Sequence, residues 1–238
     1  LPGRYRRRFY AGEYIEEIDN ALWTAALLET CRDEAIVPNS KAHNQLKRIA
    51  VGVDPSGGDA EPQNKKKDDT RKHDDIGIVV AGKTFDGRGV VLEDATGPGT
   101  PKQWATNAVA AYKRWNADVI VAEGNFGGEM VRSTIQGVDA NVPVELVHAS
   151  RAKHVRAEPI SALYEDRKVD HAGTFIELED ELCNFNRDGY QGDRSPNRAD
   201  ACVWALTELL LGEHTDGMLG FYRNIVEKAK EERERARK

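Results

Sequence analysis

"DDIGIVVAGKTFDGRG", residues 74–89, contains between Gly77 and Thr84 a formal match to the phosphate-loop pattern G-x-x-x-x-G-K-[ST]. How this stretch is read decides the fold. A phosphate loop needs a strand before it, a flexible glycine-rich turn at its centre and a helix opening at the Lys-Ser/Thr pair. Here the centre is Ile78, Val79, Val80 and Ala81. Branched apolar residues favour extended backbone packed in a sheet, and they do not wrap N–H groups around a phosphate. After Thr84 come the turn formers Asp86, Gly87, Arg88 and Gly89 and a second apolar run, which is hairpin chemistry rather than a helix start. The stretch reads as a strand ending in a turn, and no ATP hydrolysis is expected from it.

Outward from that strand the pattern stays legible. Upstream, "KRIAVGVD" (47–54) is a short apolar strand ending at Asp54, followed by a polar loop from Pro55 to Asp74 that holds almost no apolar residue. Downstream, "GVVLEDATG" (89–97) gives a third strand, and "PKQWATNAVAAYKRWN" (101–116) a helix with Pro101 in its first turn. "DVIVAEG" (118–124) is a buried strand ending at Glu123, "GEMVRSTIQGV" (128–138) a helix and "PVELVHA" (143–149) another strand. "AEPISALYEDR" (157–167) reads as a helix, "KVDH" (168–171) as a short extended piece, "ELEDELCNF" (177–185) as a helix, and "SPNRADACVWALTELLLG" (195–212) as the last strongly apolar helix. The order β-β-β-α-β-α-β-α-α predicts an α/β domain with a mixed sheet, antiparallel in its first strands and flanked by helices.

This domain is expected to run from 46 to 212. Residues 1–45 read as an attachment, with apolar spacing that predicts one helix from about Glu16 to Ala35 and then a connector. Residues 213–238 end in "EKAKEERERARK", a charged tail that reads as a solvated helix or as disordered and cannot form a core alone. Leu1 in place of Met suggests a fragment or a processed chain.

The 238 residues are enough for one sizeable core. Cys31, Cys183 and Cys202, odd in number and with no C-x-x-C pair, argue against a disulfide framework or a structural zinc site. No apolar run reaches the roughly 18–20 residues of a membrane span and no signal peptide opens the chain, so no membrane partner is expected. The formal net charge of −6 does not advertise nucleic-acid binding, but its distribution is uneven. Basic clusters stand at Arg4–Arg8, Lys65–Lys72 and Arg151–Arg156. Positive patches around an acidic centre suit a metal-dependent enzyme acting on a polyanion; each cluster taken singly also suits a solvated surface.

Asp54 and Glu123 each end a strand, on the side of an open sheet where ligands bind. On neighbouring strands the two carboxylates would converge and repel each other, which a divalent cation relieves. Asp200, on the last helix, offers a third carboxylate, with Asn197 on the same helix face. Three carboxylates with few imidazoles make a hard-oxygen site suited to Mg²⁺ or Mn²⁺. Two such ions, about 3.5–4 Å apart, activate water and stabilise the leaving oxygen in phosphodiester hydrolysis. Each residue has a plain alternative: Asp54 before Pro55 suits a turn, and Asp200 an exposed helix position. Gly127 and Gly128 either let backbone approach a phosphate at a helix N-terminus or simply make the strand-to-helix turn. Lys153 and Arg156, near the start of a helix, suit contact with phosphate or developing charge, or else the surface. The six histidines do not pair at metal-ligand spacing, and Trp104, Trp115 and Trp204 sit on apolar helix faces as core residues.

"VGVDPSGG" (51–58), "VIVAEGNFGGEMV" (119–131), "HASRAKHVRAEPI" (148–160) and "SPNRADACVWAL" (195–206), in this order, resemble the nuclease domain of the large terminase subunit of tailed double-stranded DNA phages. The resemblance covers Leu46 to Gly212. It implies a ribonuclease H-like fold and a metal-dependent endonuclease that cuts double-stranded viral DNA during packaging with two Mg²⁺ or Mn²⁺ ions. Residue by residue it puts the first-strand carboxylate, touching both ions, on Asp54, the glutamate on Glu123 and the last-helix aspartate on Asp200. Asp193 is a substitute or outer-shell carboxylate, and Asn197 stands where some relatives carry a histidine or an acid. Lys65, Lys66, Lys67, Lys153, Arg156, Gly127 and Gly128 are the candidate DNA contacts.

"GEYIEEIDNALWT" (12–24) looks like the segment joining the motor ATPase domain to the nuclease. The implied partners are that ATPase domain, with its own phosphate loop earlier in the full-length chain, the small terminase subunit and the portal protein. The implied place is the cytoplasm of the infected bacterial host. Competing readings are a junction resolvase or transposase-like nuclease, a sugar-kinase or actin-like phosphotransferase, and a non-catalytic docking module of a packaging machine. The phosphotransferase needs a second glycine-rich hairpin and a duplicated domain, for which the chain leaves little room.

Overall fold

A computed structural model of the chain describes residues 18–33, 36–37, 40, 42–55, 75–124, 127–148 and 152–212. The stretch that mimics a phosphate loop is strand β2 (Gly77–Thr84), with Ile78 to Ala81 fully buried. It pairs antiparallel with β1 (Leu46–Asp54), Asp54 lying opposite Gly77. Residues 85–88 then turn the chain into β3 (Gly89–Asp94), antiparallel to β2. β4 (Val119–Glu123) joins β1 in parallel and β5 (Val144–Val147) joins β4 in parallel. "KVDH" supplies β6 (Val169–His171), parallel to β3, so the sheet runs β5-β4-β1-β2-β3-β6. The mixed α/β sheet with an antiparallel start is the one the sequence predicts.

Six helices are described: α1 (Ala25–Glu29), α2 (Pro101–Trp115), α3 (Gly128–Gln136), α4 (Lys153–Glu165), α5 (Ile176–Cys183) and α6 (Asn197–Leu211). Side chains alternate across a strand, and the sheet uses both faces. Ile49, Val51, Val53, Ile78, Val80, Ile120 and Ala122 pack with α2 and α3 in one core. Ala50, Val79, Ala81, Val119 and Val121 face the other, built from α4, α5 and α6. Burial on both faces explains why these strands read as near-continuous apolar runs. Trp104, Trp115 and Trp204 are all buried, as expected.

Three elements differ from expectation. The helix expected over 16–35 is, among the described residues 18–33, helical only at Ala25–Glu29, where Thr24 caps it. The chain before it instead bridges Asn186 at Ala21 and buries Trp23 edge-on against Tyr164 and Phe185, so tertiary packing overrides the local period. Helix α4 begins at Lys153, one turn before the expected Ala157, and carries Pro159 inside it. A small hairpin of β7 (Phe185–Asn186) and β8 (Gly189–Tyr190) interrupts the connection from α5 to α6. Residues 1–17, Lys65, Lys66, Lys67 and 213–238 lie outside the described residues.

Candidate active site

Strand parity sets the first two carboxylates. Asp54 follows Ala50 and Gly52 on the α6 face of β1, and Glu123 follows Val119 and Val121 on the same face of β4. The parallel register pairs Val53 with Ala122, so the two acids stand one residue beyond on adjacent strands. The third is set by how closely α6 lies on the sheet. A Cβ on Gly52 would overlap the Ala201 carbonyl and one on Gly77 the Asn197 carbonyl, so these two positions accept only hydrogen. With the helix backbone resting on β1 and β2, Asp200 is carried down beside Asp54 and is only 2% exposed. The structure therefore brings Asp54, Glu123 and Asp200 together at one end of the sheet.

The electrostatics of the cluster are uneven. Burial, then the charge of Asp200 and more weakly that of Glu123, push Asp54 up to about 8, against the pull of Lys153 and Arg156. Burial also raises Asp200, although Lys153 and Arg156 oppose it. Lys153, the first residue of α4, pairs with Asp200 Oδ2 and lies 3.3 Å from Ser195 Oγ. Arg156 donates from Nη2 to Asp200 Oδ1 at 3.2 Å, and its Nη1 stands 3.5 Å from Glu123 Oε2. Its guanidinium lies 4.5 Å over the Trp204 ring, and the indole Nε1 donates to the same Glu123 oxygen at 3.2 Å. Trp204 is thus core and wall of the site at once, a role its apolar helix face did not reveal. Its spacing four residues after Asp200 was the available signal.

The other expected residues are scattered. Asp193 is exposed, and the charges that bear most on Asp54 are those of Asp200, Lys153, Glu123 and Arg156. Asn197 is buried, donates from Nδ2 to the Asp75 carbonyl at 2.6 Å, and leaves Oδ1 without a hydrogen-bond partner among the described residues. Gly127 adopts a left-handed φ of 79° as the N-cap of α3, and Gly128 opens that helix against Leu146.

A second acidic group went unread in the sequence. Arg198 gathers Asp94 and Asp75 at 3.2 Å each and Glu181 at 3.5 Å, across the first turn of α6 from Asp200. Burial lifts Glu181 to about 7.

Whether a divalent ion suits Asp54, Glu123 and Asp200 is decided by their donors. All are hard carboxylate oxygens, and Asp54 bears a charge that burial and its neighbours disfavour. That chemistry fits Mg²⁺ or Mn²⁺. As they stand, however, no three His, Cys, Asp or Glu side chains among the described residues are grouped so as to hold a metal ion. Lys153 and Arg156 engage both oxygens of Asp200.

A family model, the terminase RNaseH-like domain, matches residues 51–209. No curated protein sequence matches the chain. Among solved structures, the large terminase nuclease of thermophilic phage G20c with bound cobalt is similar at 14% identity and a TM-score of 0.53, over 80% of this chain and 98% of that one. The HK97 bacteriophage large terminase aligns at 12% identity and a TM-score of 0.53, over 78% of this chain and 43% of that one. The nuclease domain of the large terminase subunit gp2 of bacterial virus Sf6 aligns at 16% identity and a TM-score of 0.50, over 78% of this chain and 98% of that one. At these identities the likeness establishes the ribonuclease H-like fold.

Proposed function

The chain belongs to the terminase RNaseH-like domain family, and from that membership we propose that it is the DNA-cutting module of a phage packaging machine, an endonuclease of double-stranded DNA dependent on Mg²⁺ or Mn²⁺. The observation that carries the reading is Asp54: a carboxylate ending a central strand, buried beside Glu123 and Asp200 and pushed up to about 8. A group so disfavoured as an anion is what a site holds when a cation is its working partner. The cobalt in the G20c nuclease structure supports a divalent ion at a site of this fold.

In this reading Asp54, Glu123 and Asp200 would hold two divalent ions, with Asp54 as the central carboxylate, and Asp193 would stand outside them. Bound there, the ions supply Lewis acidity to the scissile phosphate and lower the pKa of attacking water. The chain's own residues do the rest. Arg156, stacked on Trp204, fixes the spacing of Glu123 and Asp200. Lys153, with 41% of its side chain exposed, is the cation placed to meet a DNA phosphate. The Gly127–Gly128 turn lets the phosphate backbone come close to an α3 N-terminus, and Lys65, Lys66 and Lys67 add positive charge for DNA.

The ATPase motor domain of the same full-length chain, the small terminase subunit and the portal protein are its partners, in the cytoplasm of the infected bacterium. Among the described residues no helix is long and apolar enough to cross a membrane.

Plasmid cleavage tests the reading. The purified chain should nick or linearise supercoiled plasmid in Mn²⁺, stop in EDTA, and lose about a thousand-fold or more of its rate as Asp54→Asn, a change that keeps shape and removes the central charge. Full cleavage by Asp54→Asn would end the assignment.

A further inference from the structure

The two cations that α4 presents to the carboxylates are held very differently. Arg156 has 10% of its side chain exposed and lies between Asp200 and Glu123 with its plane on Trp204. Its Nε and Nη1 are buried without hydrogen-bond partners among the described residues. A guanidinium does not deprotonate, and withdrawing this one would strand the buried Asp200 and the half-buried Glu123. Lys153 is a point charge on a flexible stem, partly in solvent, pairing with Asp200 Oδ2 and lying beside the Ser195 hydroxyl. Asp200 has two oxygens, and each is engaged by one of these residues.

We propose that Lys153 is an exchangeable counter-ion of the metal site: a divalent ion takes Asp200 Oδ2 by displacing the Lys153 ammonium, and the displaced ammonium is then free for a DNA phosphate, while Arg156 stays in place. This rests on the proposed reading of Asp54, Glu123 and Asp200 as ion ligands.

The consequence is a coupling that plain ligand crowding does not produce. While Lys153 is paired with Asp200 its charge is partly neutralised, so it serves a phosphate less well than when released. Metal binding therefore frees it for DNA, and DNA binding frees Asp200 for the metal. By linkage the two effects are equal, so metal and DNA each tighten the other through one side chain. Arg156, fixed by its stacking and its fork, adds charge to both states alike and contributes no such coupling.

Mn²⁺ binding to the 238-residue chain, read from the EPR signal of the free ion, with and without a short phosphorothioate duplex, tests this directly. For the unaltered chain the duplex should tighten Mn²⁺ by about three- to ten-fold, the scale of one half-exposed ion pair. Lys153→Gln should bind Mn²⁺ tighter than the unaltered chain by a similar factor without DNA, and show a smaller gain on adding the duplex, because only the contact of the ions themselves with the phosphate then remains. Lys153→Arg, which keeps the charge, should restore both the weaker affinity and the response to DNA. Unchanged or weaker Mn²⁺ binding by Lys153→Gln would overturn the exchange, since Lys153 would then hold Asp200 in place for the ion rather than compete with it. Asp54→Asn separates the two levels: if it takes up Mn²⁺ as well as the unaltered chain, the metal-site reading itself fails, whatever Lys153 does.

Discussion

The Arg32–Glu179–His171 cluster and the Asp54–Glu123–Asp200 cluster both bury carboxylates in the α6-side half of the molecule, and they are built in opposite ways. In the first, Glu179 receives both Arg32 nitrogens, His171 Nδ1 at 3.0 Å and the Phe175 N–H at 3.1 Å, while Tyr164 OH closes on His171 Nε2 at 2.8 Å. Burial pushes Glu179 up, but these hydrogen bonds bring it down to about 2, and burial keeps His171 neutral by lowering it. Nδ1 then carries the ring proton, because an ionised carboxylate only accepts. In the second cluster Asp54 has comparable burial and no described hydrogen bond to its side chain, and it rises to about 8. Matched buried charge is architecture, and it ties the 18–33 segment to the domain through Arg32. Mismatched buried charge is what a bound cation would relieve.

The widest difference should appear on cutting the matched cluster. Arg32→Ala leaves Glu179 buried without its strongest partner and should cost about 3–5 kcal/mol in denaturant unfolding. A loss below about 1 kcal/mol would show that the cluster is not the anchor its geometry indicates.

The mismatched cluster should respond in the other direction. Because the folded chain raises Asp54 from 3.8 to about 8, its contribution is fully present below the ordinary carboxylate range and is lost as pH rises toward 8. Metal-free Asp54→Asn should therefore be more stable than the unaltered chain at pH 8, by on the order of 3 kcal/mol, with the gap closing by about pH 4. Glu179 has the opposite slope. Lowered from 4.5 to about 2, it contributes above the ordinary range and is lost as pH falls through 2. Melting curves for the unaltered chain and Asp54→Asn between pH 4 and 8 check the Asp54 sign, and a parallel pair of curves would erase the contrast.

The smallest effect belongs to Asp193, which is exposed beyond the cluster. Asp193→Asn should leave the melting temperature where it is and slow plasmid cleavage less than Asp200→Asn does. The reverse order would move the third ligand from Asp200 to Asp193.

Much of this was legible without coordinates because it rests on short periods. Ile78, Val79, Val80 and Ala81 could only be strand, and β-branched runs with turn residues between them gave the sheet its members. Asp54 and Glu123 could be placed at strand ends because side-chain alternation is local. The α6 helix announced Asp200 by its apolar face. The hairpin at β7 and β8 was not legible, since strands of two residues carry no period to read. Nor was the Arg198 cluster, whose acids come from Asp75, Asp94 and Glu181 on three separate elements.

The sequence by itself determined the members of the main sheet and most of the helices and put three acidic side chains forward as candidates, because backbone preference and ionisable groups are properties of the residue and its near neighbours. Tertiary structure alone decided which charges meet. In the chain Lys153 and Arg156 read as phosphate contacts or as surface cations, yet α4 turns them onto Asp200, 47 and 44 residues away. Trp23 sits in a helical pattern and packs instead against Tyr164 and Phe185. Long side chains choose among partners by distance, and distance across a fold is set by how α6 rests on Gly52 and Gly77, where the absence of two methyl groups lets the helix touch the sheet.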